Sequence, residues 1–202
     1  MEAILKNCTI INFKKTETIV KQGTEVTHSL YLSQGSVKIF IEGEKNIILK
    51  LIKADTYIGF GTVFGDKLYP FSISTLEDSR VCLTPINTVY SIAGKNNDYL
   101  LNIMKLITTS KNYLYKKIID IGINRLKSRV ADSILYLSEY SNNSSEFEII
   151  LSRNELAEFS AMSMENTVRI LAEFRANKII ELKGRTIKIL DKEKLQKIAK
   201  DG

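Results

Sequence analysis

The run LSRNELAEFSAMSMENTVRILAEFRANKIIELKGRTIKIL, residues 151–190, decides the fold. Ser152 can cap a helix with its hydroxyl, and Glu155, three residues on, can reach back to the cap's own N–H, a reciprocal capping box. The spacing predicts a short helix over 153–160 that buries Leu156 and Phe159, with Ala157 small enough for a second helix to cross closely. Ser163 supplies a second cap. Thr167, Ile170, Leu171 and Phe174 then fall at i, i+3, i+4 and i+7, one buried face of a helix over 164–175. Past Asn177, two β-prone runs, 179–183 and 186–190, flank a Gly184-Arg185 turn and form a hairpin.

Two short helices followed by a hairpin make a winged helix-turn-helix. Its second helix carries Glu165 and Arg169 four residues apart, on the outward side near the N-terminal end. A recognition helix meets base edges at that end. Arg presents a planar pair of donors to guanine O6 and N7, and a carboxylate accepts from the cytosine amino group. Arg169 would also hold the carboxylate of Glu165 against phosphate repulsion. The competing reading is an ordinary solvated ion pair, and the hairpin that follows favours base reading.

The rest of the chain narrows the function class. Its 202 residues suit two compact domains, and a net charge of +6 with a pI near 9.1 is compatible with a polyanionic partner. From Gly122 onward, however, 14 Lys and Arg stand against 12 Asp and Glu, so affinity for DNA has to come from placement. Cys8 and Cys82 are too few and too far apart for a zinc or iron–sulfur ligand set, and are expected as thiols in a reducing cytoplasm. No secretory leader or long apolar run is visible, so no membrane partner is expected. With the single histidine His28, no nucleophile motif and no Gly-rich phosphate loop with its Lys, a hydrolase triad or a His-rich metal site lacks its parts, and no enzyme or cofactor is expected. The adjacent Glu77 and Asp78 read as surface.

Residues 9–85 read as short β-strands between turns, over 9–13, 18–21, 29–33, 37–41, 46–52, 71–75 and 80–84. Gly59, Gly61 and Gly65 lack the spacing and the βαβ setting of a dinucleotide loop and read as turn glycines. Phe60, Tyr69 and Phe71 either line an apolar ligand pocket or complete the core of the roll. Over 98–121, Leu100, Met104, Ile107, Leu114, Ile118 and Ile121 follow alternating steps of four and three, a stripe suited to a two-stranded coiled coil, interrupted by Lys111. The same stripe would also suit a helix packed on its own roll. Lys111 is costly in a dry seam and either loosens it or faces a ligand. Gly122 is read as the break before the last domain, in which a helix over 126–140, the hairpin and a final helix over 192–200 complete the chain.

The runs LSRNELAEFSAMSMENTVRIL and NKIIELKGRTIKI resemble the DNA-binding domain of the CRP/FNR superfamily of bacterial transcription regulators. VKQGTEVTHSLYLSQGSVKIFIEGEKN, IGFG and YPFSIS are similar to the cyclic-nucleotide-binding β-roll of the same superfamily, so the resemblance covers nearly the whole chain. It implies an α+β fold: a jelly-roll-like, double-stranded β-roll sensor over 1–97, a long dimerisation helix over 98–121, and a winged helix-turn-helix over 122–202. It places base reading on Glu165 and Arg169. Met164 stands where the family has a further Arg and would touch a thymine methyl instead. Phosphate contacts fall on Arg153, Ser163, Asn166, Lys183 and Arg185. The effector pocket falls on Ile58, Gly59, Phe60, Gly61, Tyr69, Phe71 and Ser72, with Leu114 and Tyr115 from the long helix. Phe60 replaces the family's ribose-binding Glu and Phe71 its phosphate-binding Arg, which speaks against cyclic AMP. Cys8 alone cannot hold the cluster of oxygen-sensing members.

The expected function is therefore a cytoplasmic, homodimeric regulator that binds a palindromic operator in double-stranded DNA under the control of an unknown effector, with RNA polymerase as a further partner. The alternative is a small-molecule-sensing module that regulates a protein partner through its C-terminal domain.

Overall fold

The computed structural model describes residues 8–65 and 67–201. The chain divides into two compact units, the first ending at Tyr115 and the second beginning at Lys116.

The first unit holds β1 (Thr9–Phe13), β2 (Thr18–Val20), β3 (His28–Gln34), β4 (Ser36–Ile41), β5 (Ile47–Lys53), β6 (Thr56–Ile58), β7 (Ser72–Thr75) and β8 (Ser79–Pro85). They form two antiparallel four-stranded sheets, ordered β1-β8-β3-β6 and β2-β7-β4-β5. Alternation along the strands turns Leu30 and Leu32 of β3, Val37 and Ile39 of β4, Ile73 of β7 and Val81 of β8 into one core between the sheets. Truncating a fully buried member such as Leu32 to Ala would cost about 2–5 kcal/mol. Three elements escaped the sequence reading: β6, three residues long, the 3-10 turn Phe60–Phe64, and the helix α1 (Ile86–Ala93), which starts directly after Pro85.

The two cysteines correct an expectation. They are joined as a disulfide across 74 residues of sequence, with Cα atoms 5.6 Å apart. The register explains the meeting: Ile10 of β1 lies opposite Cys82 of β8, and Cys8 stands two residues before Ile10, on the same face.

The helix α2 (Asn97–Ile123) runs through the division between the units. It ends at Ile123, one residue past Gly122, and the chain leaves the helix at Asn124 and Arg125. With Leu126 next and nothing near a Cβ at Gly122, the missing side chain leaves the helical hydrogen bonds intact.

The second unit contains α3 (Leu126–Tyr140), β9 (Glu146–Glu148), α4 (Arg153–Phe159), α5 (Met164–Ala176), β10 (Ile180–Lys183), β11 (Thr186–Ile189) and α6 (Lys192–Lys200). Val130, Ile134, Leu156, Phe159, Ile170, Phe174, Ile187 and Leu195 are sealed in its core. β10 and β11 are the expected hairpin, and β9 adds a third strand, giving the order β10-β11-β9. The fold is α+β: an antiparallel roll, a long helix and a winged helix-turn-helix.

Candidate nucleic-acid interface and sensor cavity

The local chemistry of residues 151–190 starts with two caps. Ser152 Oγ accepts from the Glu155 N–H at 3.2 Å while Glu155 Oε2 accepts from the Ser152 N–H at 2.7 Å, so the capping box is closed in both directions. Ser163 Oγ accepts from the Asn166 N–H at 3.3 Å and starts α5. Between them the chain turns at Ala161, whose φ of +51° lies in the left-handed region. Arg129 Nη1 donates to the Ala161 carbonyl at 3.0 Å, and the Met162 N–H donates back to Ala157 O at 3.0 Å.

α5 then has two unlike sides. Thr167, Ile170, Leu171 and Phe174 are buried, while Met164, Glu165, Val168, Arg169 and Arg175 are exposed. Arg169 Nη2 reaches Asn166 Oδ1 at 3.4 Å, and no ion pair joins Arg169 to Glu165, contrary to the sequence expectation. The extended Arg side chain follows the i−3 amide instead, which leaves the Glu165 carboxylate free at the positive end of the helix. Val168 was missed by the sequence reading. It stands four residues after Met164, and the two form an exposed apolar pair, 46% and 51% accessible, beside Arg169. The signal was available, since Val168 falls off the 167–170–171–174 stripe and so has no core to enter.

The arginines expected on phosphate are engaged elsewhere. Arg153 Nη2 donates to Gly184 O at 2.8 Å, tying the start of α4 to the hairpin turn. Arg185 donates to Ile149 O at 2.8 Å and Ile150 O at 3.1 Å, and its Nε lies 3.4 Å from Glu148. Both brace the wing. Lys183 is exposed and lies 3.2 Å from Glu181.

Beneath the helix-turn-helix, Lys117 Nζ stands 4.0 Å over the Phe159 ring and donates to the Phe159 carbonyl. Burial holds its ammonium down at about 8, against the pull of Asp120 and Asp132. Asp132 is pushed up to about 6, first by burial and then by the neighbouring charge of Asp120.

The roll and the stretch of α2 within the first unit line a partly open cavity of about 320 Å³. Gly59, Phe60, Gly61 and Phe71 line it from the strands and the 3-10 turn Phe60–Phe64, and Leu114 lines it from α2. Gly59 is required there, because with φ at +59° a Cβ would stand 2.9 Å from the Phe71 ring. The other expected pocket residues lie outside it. Ile58 is sealed in the core, and Tyr69 is buried with its hydroxyl bonded to His28 O at 3.2 Å and raised by burial to about 12. Ser72 bonds to Glu42 and Gln22, and Tyr115 is 57% exposed. Sequence reasoning missed Lys50, Tyr57, Thr56 and Ser110, which line the cavity, and Lys111, one of whose two expected readings was that it faces a ligand, lines it too. Tyr57 packs on Phe60 with ring centres 4.6 Å apart, and burial raises its phenol.

The expected seam residues of α2 divide by exposure. Ile107 and Leu114 turn to the roll and line the cavity, and Ile121 is half-buried. Most of α2 is exposed, and Leu101, Met104, Thr108, Lys111, Tyr115 and Ile118 are among the exposed positions, in steps of three and four. Of the expected set, Leu100, Met104, Leu114 and Ile118 are exposed, Ile118 the most at 65%.

Set beside known proteins, residues 10–96 match the family profile described as Cyclic nucleotide-binding domain, and residues 128–198 match the Crp-like helix-turn-helix domain. The two domains occur in that order in one chain. The chain belongs to the CRP/FNR superfamily. It is a DNA-binding transcription regulator of that superfamily. Among the relatives of this CRP/FNR chain, the Fumarate and nitrate reduction regulatory protein of Vibrio cholerae is 23% identical over 193 residues, 92% of this chain and 76% of the relative. Electron transport regulator A of Shewanella oneidensis is 24% identical over the same shares. The fold of this CRP/FNR member is similar to that of FixK2 from Bradyrhizobium japonicum, with a TM-score of 0.84 and 14% identity over 95% of this chain and 96% of the other. No helix among the described residues is long and apolar enough to cross a membrane.

Proposed function

We propose that the chain acts in the cytoplasm as a homodimer that reads a two-fold-symmetric operator in duplex DNA, under the control of an effector bound in the roll. The observation that carries this reading is the division of α5 into a sealed side and an open one. The sealed side is fully committed to the core, so the open side is available to a groove. Arg169 donates to guanine, Glu165 accepts from cytosine, and Met164 with Val168 offers an apolar contact to thymine methyl groups. Ser163, Asn166 and Lys183 lie against phosphates, while Arg153 and Arg185 hold the wing in place and have only their remaining donors to spare for DNA. Pairing runs through the stripe of Leu101, Met104, Tyr115 and Ile118, which two copies would bury as an a/d seam. The effector biases the equilibrium between dimer arrangements that fit and do not fit two major grooves.

Selection of bound duplexes from a random pool tests this. The expected result is an enriched inverted repeat with half-sites roughly one helical turn apart, and binding that falls steeply with salt. Absence of any enriched sequence, together with salt-independent association with protein partners, would favour the protein-docking alternative instead.

A further inference from the structure

The cavity of the roll has a chemical character that its size alone does not convey. Its walls are apolar, with Ile39, Ile52, Phe60, Phe71 and Leu106 prominent. Its charged lining residues are Lys50 from β5 and Lys111 from α2, and among the described residues no carboxylate lines it. Both lysines thus border an apolar space that no carboxylate lines with them.

We propose that this cavity binds a small amphiphilic carboxylate, whose headgroup is held between Lys50 and Lys111 and whose apolar body of about ten non-hydrogen atoms fills the space between the aromatic walls. The assignment rests on reading the roll as the effector domain. It deepens that reading by naming the class of ligand.

Three observations support it. Lys50 is half-buried, and its Nζ lies over the ring of Tyr113, 5.1 Å from the centroid. Desolvation lowers its affinity for the proton, so a bound anion would restore the charged form that burial disfavours. A neutral apolar ligand would remove water from the same ammonium and return nothing, which makes it the poorer occupant. The available room, about 320 Å³, suits a single ring or a short chain, at roughly 30 Å³ for each water-sized group. The hydroxyls of Thr56 and Ser110 can donate a second weak contact to the headgroup.

Because Lys50 stands on a strand and Lys111 on α2, one carboxylate bonded to both would draw the sheet and the helix together. Lys111 also lies on the exposed stripe of α2, so its recruitment inward would remove a charge from that stripe. The ligand thereby gains different contacts in two arrangements of the helix, which is what an effector requires.

Calorimetry on the full-length protein without DNA tests the assignment, with octanoate and phenylacetate as probes and octanamide and phenylacetamide as neutral matches. At least one carboxylate should bind saturably, its amide about tenfold or more weaker. Lys50→Met and Lys111→Met should each weaken the carboxylate at least about tenfold while leaving circular dichroism and the melting profile native. Equal affinity for acid and amide, wild-type affinity in both lysine variants, or no binding of either carboxylate at millimolar concentration would overturn the proposal. Operator binding by the wild type is scored separately. If it persists while no carboxylate binds, the ligand class fails and the regulator reading stands; if it is absent while the carboxylate binds, the reverse holds.

Discussion

Arg129 Nη1 of α3 donates to the main-chain carbonyl of Ala161 at 3.0 Å, and Ala161 holds a φ of +51°. The bond spans 32 residues and fixes the turn that sets α5 against α4. A left-handed non-glycine residue costs about 1–2 kcal/mol, which the surrounding contacts must offset.

Ala161→Val therefore adds a branched Cβ where the backbone already strains, and should lower stability by about 1–2 kcal/mol beyond the alanine. Ala161→Gly should be no less stable than the parent to within about 1 kcal/mol, since relief of strain offsets the freer unfolded chain. Urea unfolding of the three proteins decides this, and a valine variant as stable as the parent would refute the strain argument.

Ile118 is 65% exposed in the protomer, so Ile118→Asp should fold normally yet separate the dimer. Sedimentation should then show a monomer with native circular dichroism, and operator affinity should fall because only one half-site is engaged. A variant that remains dimeric would move the seam away from the stripe.

Two titrations set opposite pH trends in the second unit. The carboxyl of Asp132 is raised to about 6 from 3.8, so the folded state holds a proton that the unfolded chain has lost, and its contribution is complete below about 4 and disappears as pH rises through 6. The ammonium of Lys117 is lowered to about 8 from 10.5, so the unfolded chain binds the extra proton, and stability rises between pH 8 and 10.5. Asp132→Asn should flatten the lower limb, and Lys117→Met the upper, in urea midpoints measured across pH. Unchanged limbs would show that neither group is buried as described.

The wing separates bracing from contact. Lys183→Ala should leave the melting temperature unchanged and reduce the slope of log K against log salt by about 0.9, the effect of one lost phosphate contact. Arg153→Leu removes the bond to Gly184 O, and should lower thermal stability as well as DNA affinity. Mobility-shift titrations at several salt concentrations distinguish the two.

Periodic burial was legible in the sequence. The stripe of Thr167, Ile170, Leu171 and Phe174, the caps at Ser152 and Ser163 and the hairpin at Gly184 all follow from local rules, and these elements stand where the spacing puts them. What depends on tertiary direction was not legible. The stripe through Ile107 and Leu114 reads the same whether it faces a second copy or the roll; these two line the cavity of the roll, while Leu100, Met104 and Ile118 of the same stripe stay exposed. The Cys8–Cys82 meeting needed the β1/β8 register, which no spacing along the chain encodes. Lys50 and Lys111 are 61 residues apart, so their shared cavity appears only when β5 and α2 pack together. Gly122 marked the end of the long helix to within a residue, because glycine is a poor helix former.

The central claim is that the open side of α5 reads base edges. The most direct measurement is the affinity of Arg169→Ala for the selected operator and for single-base variants of it. Arg169→Ala should lose about 1–3 kcal/mol on the operator, roughly 5- to 150-fold, and become indifferent to the base it reads, with fold and dimerisation intact. Unchanged affinity and unchanged discrimination at every position would contradict it.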